Sequence, residues 1–145
     1  MKIDIDRFGL KNVQVDPVTL FTFPKGLAGF ESSKRFKLFH EEGGGTVFWL
    51  QSVDDTNVAF PIVSPDAIDI AYEIELSDED GELLGIQDAS DVVIAVIVYR
   101  DGAEKGPNGK IAANTRSPVI LNLKTRTGMQ KILQEVHPSL LYRAR

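Results

Sequence analysis

The 145-residue chain contains no cysteine. That absence excludes a disulfide framework, a thiolate nucleophile and any cysteine-based metal site, and it is compatible with a reducing compartment. Long hydrophobic runs are missing too. The start, MKIDIDRFGL, is charged and alternating, unlike a signal peptide, and no stretch approaches the roughly 20 apolar residues of a membrane span. The expectation is a cytoplasmic, monomeric protein with one domain over 1–145, long enough to bury a core without staples. No G-x-S-x-G, H-E-x-x-H or G-x-x-x-x-G-K-[ST] pattern occurs, and the two histidines, His40 and His137, lie beside a glycine-rich loop and near the C-terminus. Neither an enzyme nor a cofactor is expected.

The most informative absence is positive charge in the middle of the chain. From Leu38 to Tyr99 there are fourteen acidic residues and no Lys or Arg. Ten of the fourteen fall in SPDAIDIAYEIELSDEDGELLGIQDASD, residues 64–91. Net charge is +3 over residues 1–37, −14 over 38–99 and +6 over 100–145, for −5 in all. Phosphate contacts need Lys and Arg, so an acidic chain of this kind is a poor nucleic-acid binder.

What is present reads mainly as strands. KIDIDRF places Ile3 and Ile5 on one face and Asp4 and Asp6 on the other. VFWLQSV and VAFPIV are apolar and β-branched, and the DDTN between them is turn chemistry, which predicts a hairpin of Val47–Val53 with Val58–Val63. Pro61 lacks a ladder donor and belongs at an edge or bulge. YEIEL alternates, with Tyr72, Ile74 and Leu76 inward and Glu73 and Glu75 outward. DVVIAVIVY, apolar on both faces, reads as a central, fully covered strand. PVILNL and MQKIL flank KTRTG as a second hairpin. Ser77 with Asp80 makes a capping-box start for one short helix near 78–84, ended by Gly85. SPDAID, with Pro65, reads as a turn. EEGGGT and DGAEKGPNGK read as loops. The pattern predicts an all-β, mainly antiparallel barrel or roll with one short helix. Its core is expected to contain Phe48, Leu50, Val93, Ala95, Ile97, Ile120 and Leu133.

Three stretches carry functional candidates. DEDGE superficially resembles a calcium loop, but with Gly81 at the sixth position Leu76 falls at the first and Gln87 at the twelfth, so two obligatory ligands are missing. FPKGLAGFE reads as a glycine-rich bend through Gly26 and Gly29, anchored by Phe23 and Phe30; the functional alternative is a bend that presents Phe30 or Leu27 to a partner. In NTRSPVILNL, Asn114, Pro118 and Asn122 mark either a barrel strand with polar ends or an edge strand open to a partner. Acidic runs are usually solvated faces. Surfaces without a binding task, however, normally mix signs, and this field repels nucleic acid while steering a basic protein. Asp66, Asp69, Glu73, Glu75, Asp78, Glu79 and Asp80 are therefore the candidate partner-binding residues.

FPKGLAGFES, VFWLQSVDDTNVAFPIVSP, DEDGELLGIQDASDVVIAVIV and NTRSPVILNLKTRTGMQKIL come in the order and spacing that resemble the flagellar assembly factor FliW family, over about Ile5 to Leu133. Gln51, Ser52 and Pro65 stand in these shared stretches. The family typically has Pro between the two glycines of the corner, where this chain has Ala28, and Ala before the Pro of PVILN, where it has Ser117; neither change removes a functional group. The resemblance implies a small, non-enzymatic β-barrel that binds the translational regulator CsrA, a basic dimeric RNA-binding protein, and relieves its repression of flagellin mRNA. It also implies binding of flagellin, which captures the factor and so releases CsrA. From composition and the missing motifs, no cofactor, no direct nucleic-acid contact and no membrane contact are expected. The alternative is a small-ligand or enzymatic barrel of unknown substrate.

Overall fold

The strand-forming runs close into a ring. In the computed structural model, which describes residues 1–40, 45–100 and 111–133, an N-terminal hairpin of β1 (Lys2–Ile5) and β2 (Leu10–Gln14) stands apart from the main sheet. The main sheet comprises β3 (Phe21–Thr22), β4 (Arg35–His40), β5 (Phe48–Ser52), β6 (Ala59–Val63), β7 (Val92–Arg100), β8 (Ile111–Ala113), β9 (Val119–Asn122) and β10 (Thr127–Gln130). Its order is β6-β5-β4-β3-β10-β9-β7, and β7 returns to β6 through Ile62↔Ile97 and Val63↔Val96, so seven strands form a closed barrel. All neighbours in it are antiparallel except β3 and β10, joined at Thr22↔Thr127. Closure removes the exposed edges that an open sheet would offer for aggregation. Among the described residues the short β8 pairs only with β7.

Local chemistry explains the elements. The expected hairpin forms between β5 and β6, with Asp54–Asn57 as its turn and Leu50 opposite Phe60. Pro61 faces Trp49 in β5, while β6 meets β7 only at Ile62 and Val63; Pro61 thus sits where its strand has one neighbour, which is the tolerated position. The QSVDD corner is tied internally. The Ser52 hydroxyl accepts from the Asp54 and Asp55 amides, and the buried Gln51 carboxamide donates to the carbonyls of Ser52, Thr56 and Val58. Asp54 accepts from the Lys34 and Arg35 amides and from the Arg35 guanidinium at 3.0 Å. Partial burial opposes the Asp54 carboxylate, but those donors outweigh it and hold its pKa below the usual carboxylate value.

Phe21, Phe23, Phe36, Leu50, Ile62, Ala95, Val119 and Leu121 form the main core, with Ile97 half-buried against it. The N-terminal hairpin lies on the outer face of β4–β5, where Phe8 meets the edges of Phe39 and Trp49 at 5.5 and 4.9 Å. Of the expected core, Leu50, Ala95 and Ile120 are buried. Phe48 and Val93 are not: they remain 42% and 38% exposed, because both line an opening continuous with Leu38, Ile62 and Leu121 of the interior. Leu133 is half-exposed, lying past the end of β10 and held through its amide to the Arg116 carbonyl. The expected loops at 41–46 and 101–110 fall largely outside the described residues, as does the tail from 134 onward.

The glycine corner is a structural bend. Gly26 and Gly29 both take left-handed φ angles, 67° and 83°. Phe23 and Leu27 are buried, while Phe30 is half-exposed with its ring edge-on to Phe60 at 5.0 Å. The two glycines differ in room. A Cβ at Gly26 would lie 2.6 Å from the Glu31 Cα, whereas none meets a Cβ at Gly29 within 4 Å. Gly29→Ala is expected to cost only the left-handed penalty, about 1–2 kcal/mol, and Gly26→Ala clearly more because backbone must shift. Urea denaturation of the two variants checks this; equal midpoints would contradict it.

Candidate functional site

Residues 64–91 form a cover on the barrel's outer wall. Pro65–Ile68 make a single 3-10 turn, closed by Asp69 in the left-handed region at φ 57°. Residues 71–77 belong to no helix or strand and pair with none among the described residues, which corrects the reading of YEIEL as a strand. The alternation itself holds, with Tyr72, Ile74 and Leu76 half-buried and Glu73 and Glu75 exposed. The physical reason for the missing ladder is that β9, whose Ile120 the segment covers, is paired along its whole length with β10 on one side and β7 on the other. With those hydrogen-bonding positions filled, the apolar side of 71–77 can only lie across the wall. Ile68 and Tyr72 pack on Val63, Val96 and Val98, while Ile74, Leu76, Leu83 and Ile86 pack around Leu84, Ile120 and Met129.

The helix α1 (Asp78–Leu84) forms as the sequence predicts. The Ser77 hydroxyl accepts from the Asp80 amide at 3.0 Å, and the Asp80 carboxylate accepts from the Ser77 amide at 3.2 Å. Gly85, at φ 66°, ends it. Three acids in the first turn suit the positive end of the helix dipole. Two groups then fasten the cover. The Tyr72 hydroxyl donates to the Thr115 carbonyl at 2.6 Å, and burial pushes its pKa up to about 12. The Asn122 carboxamide donates to the Leu84 carbonyl at 2.9 Å and accepts from the Lys124 and Thr125 amides at 2.9 and 3.2 Å.

The outward side is acidic. Asp66, Asp69, Glu73, Glu75, Asp78, Glu79, Glu82 and Asp88 are exposed. Two acids have bases supplied from outside the segment. Lys131 lies 2.6 Å from Asp80, with both side chains largely buried, and Lys25 lies 4.0 Å from Glu79 in the open. Asp80, capped and paired, is thereby a structural residue more than an offered charge. Among the described residues no Lys or Arg pairs with Asp66, Asp69, Glu75, Asp78 or Glu82. Nor does any group of three His, Asp or Glu among them lie close enough to hold a metal ion.

The structure does not bring Asn114, Pro118 and Asn122 onto this surface. Asn122 is 1% exposed, with both ends of its carboxamide hydrogen-bonded inside the fold. Pro118 is buried, and its carbonyl accepts from the Lys131 amide. Asn114 is half-buried, its amide donating to the Ile97 carbonyl. The strand they frame is no edge, since β9 is flanked on both sides. Sequence reasoning also missed Lys131 as the partner of Asp80. The two are 51 residues apart, and only the packing of α1 beside β10 brings them together.

Because the Lys131 ammonium donates to it, the Asp80 carboxyl is held below its ordinary pKa. A depressed folded-state pKa contributes stability above the unfolded value and loses it as pH falls through the folded one. Asp80→Asn is therefore expected to be less stable than the natural chain by about 1–3 kcal/mol at pH 7. That gap should narrow as pH falls below about 4. Thermal unfolding from pH 7 to 2.5 checks the convergence, and a gap constant with pH would contradict it.

Comparison with known proteins agrees with this geometry. The profile of the FliW protein family matches residues 2–143. The chain is 43% identical to the flagellar assembly factor FliW of Azoarcus sp. (strain BH72), covering 100% of this chain and 99% of the relative. It is 36% identical to the flagellar assembly factor FliW of Chromobacterium violaceum, over 90% of this chain and 92% of the relative. A crystal structure of the flagellar assembly factor FliW superposes with a TM-score of 0.80 at 28% identity, covering 94% of this chain and 92% of that one. These relatives are named for flagellar assembly and not for a reaction. With its closed seven-strand barrel, the capped helix α1 and a family match along nearly its whole length, the chain belongs to the FliW family.

Proposed function

We propose that the chain is a flagellar assembly factor that binds the translational regulator CsrA, relieves its repression of flagellin mRNA, and also binds flagellin, so that the two partners exchange on it. The observation that carries this reading is the cover at 64–91. It presents an acidic face with no Lys or Arg of its own, suited to a basic RNA-binding partner and repellent to RNA. Apolar residues on its inner side, Ile68, Tyr72, Ile74, Leu76 and Leu83 among them, pack against the barrel wall, so the charge is presented on a docked segment. The reading of a small-ligand or enzymatic barrel gains less support, since aromatic and aliphatic side chains fill the main core.

Exposed Glu75, Asp78 and Glu82 are the charges to reverse. Their replacement together by Lys is expected to leave the fold intact, with Asp78→Lys costing about 0.3–1 kcal/mol at the helix start. CsrA association should slow on the order of tenfold at low salt, and the natural chain should be the more salt-sensitive of the two. Flagellin binding should change less, since nothing in the reading makes flagellin basic. Surface-plasmon kinetics with both proteins at two salt concentrations is the measurement. Unchanged CsrA kinetics in the triple variant would leave the acidic cover as a solvated face only, and a natural chain that binds no CsrA would remove the reading altogether.

A further inference from the structure

The cover does not seal the wall completely. Between them lies an apolar groove of about 400 Å³, with Ile74, Leu76, Ile86 and Ala89 on the cover side and Ile94 and Ile120 on the barrel side. Its size is within the roughly 300–1,000 Å³ of pockets that hold small ligands or inserted side chains. Leu76 and Ile86 also border an adjoining shallow hollow whose rim carries Asp78 and Glu82. Asp88 precedes Ala89 at the other end, and Glu75 is the exposed residue between Ile74 and Leu76. Among the described residues none of these four carboxylates is paired with a Lys or Arg.

The geometry points to this groove as the docking site for a basic amphipathic peptide segment of a partner protein, one that inserts large aliphatic side chains between Ile74, Leu76, Ile86, Ala89 and Ile94 and sets Lys or Arg against Glu75, Asp78, Glu82 and Asp88. The inference rests on the acidic cover being a docking face, and adds what the partner places there. Charge selects the occupant. A fatty-acid carboxylate, a nucleic acid and an anionic membrane surface would each bring negative charge to a negative rim. A wholly polar cationic segment would leave the apolar floor uncovered. A helix carrying aliphatic residues on one side and bases beside them satisfies both, by the helix-in-groove mode of recognition.

The test uses the full chain and a fluorescent 14-residue peptide of Leu and Lys in amphipathic helical order, with a Lys/Ser peptide of equal charge as control. Fluorescence anisotropy should show the Leu/Lys peptide binding at least tenfold tighter than the Lys/Ser peptide. Ala89 is exposed, so Ala89→Phe fills the groove without removing a charge or a buried contact. It should weaken the Leu/Lys peptide at least tenfold and leave the Lys/Ser peptide unchanged. Methyl NMR shifts on binding should concentrate at Ile74, Ile86, Ile94 and Ile120. Unchanged Leu/Lys affinity in Ala89→Phe, or shifts confined to Val93, Leu121 and Leu123 at the barrel opening, would overturn the proposal. If charge reversal weakens CsrA while Ala89→Phe leaves both CsrA and the peptide unaffected, the docking face stands and the groove fails. If the natural chain binds no CsrA, the peptide titration still decides the groove.

Discussion

The arrangement of this protein depends on one buried side chain, Asn122. It ends β9, it is 1% exposed, and its carboxamide reaches in two directions at once. Its NH2 donates to the Leu84 carbonyl, one of the groups that the C-terminus of α1 leaves without an intrahelical partner. Its oxygen accepts from the Lys124 and Thr125 amides and so shapes the turn into β10. Thr125 then adds its own hydroxyl to the same Leu84 carbonyl at 2.8 Å. A helix of seven residues is too short to be stable alone in water. This clasp, with the Leu84 side chain packed beside Ile120 and Met129, ties α1 to the barrel wall.

The charge distribution follows from that attachment. Over β9, which is paired on both sides, a crossing segment can contribute only its apolar side, and the alternation of residues 72–76 turns every second residue outward. Those outward residues are acids, and the bases of the chain lie in the flanking stretches. Lys131 and Lys25 return to the start of α1, where they meet Asp80 and Glu79. The partly buried pair with Asp80 orders the helix start, while the pair with Glu79 is exposed and worth little. The remaining acids face solvent on a rigid support, which is the condition for steering a partner.

Much of this was legible in the sequence, for identifiable reasons. Ser77, Asp80 and Gly85 specify their helix through bonds made within nine residues, so no tertiary knowledge was needed. The β5–β6 hairpin and the bend at Gly26 and Gly29 are local in the same sense. Where the outcome depended on closure, local pattern was insufficient. YEIEL has a strand's alternation, but the strand it covers, β9, is already paired on both sides. Phe48 and Val93 have the periodicity of inward residues and lie at the open end of the barrel, where inward is still wet. Asn122 and Pro118 carry turn and edge chemistry in isolation, yet β9 is flanked on both sides, which buries them. The pairing of Asp80 with Lys131 left no mark on either stretch, because it is made by packing between elements far apart in the chain.

Native-state hydrogen exchange on Asn122→Ala tests the role of the clasp most directly. The Gly81 amide, which opens α1, the Gly85 and Ile86 amides, which close it, and the Leu123 and Arg126 amides around the turn are hydrogen-bonded in the natural chain. If the clasp holds the cover to the wall, these amides lose protection in the variant by at least tenfold beyond any change in β4 and β5. A uniform fall across the whole barrel, or α1 protection equal to that of the natural chain, would contradict it and leave the cover held by its apolar contacts alone.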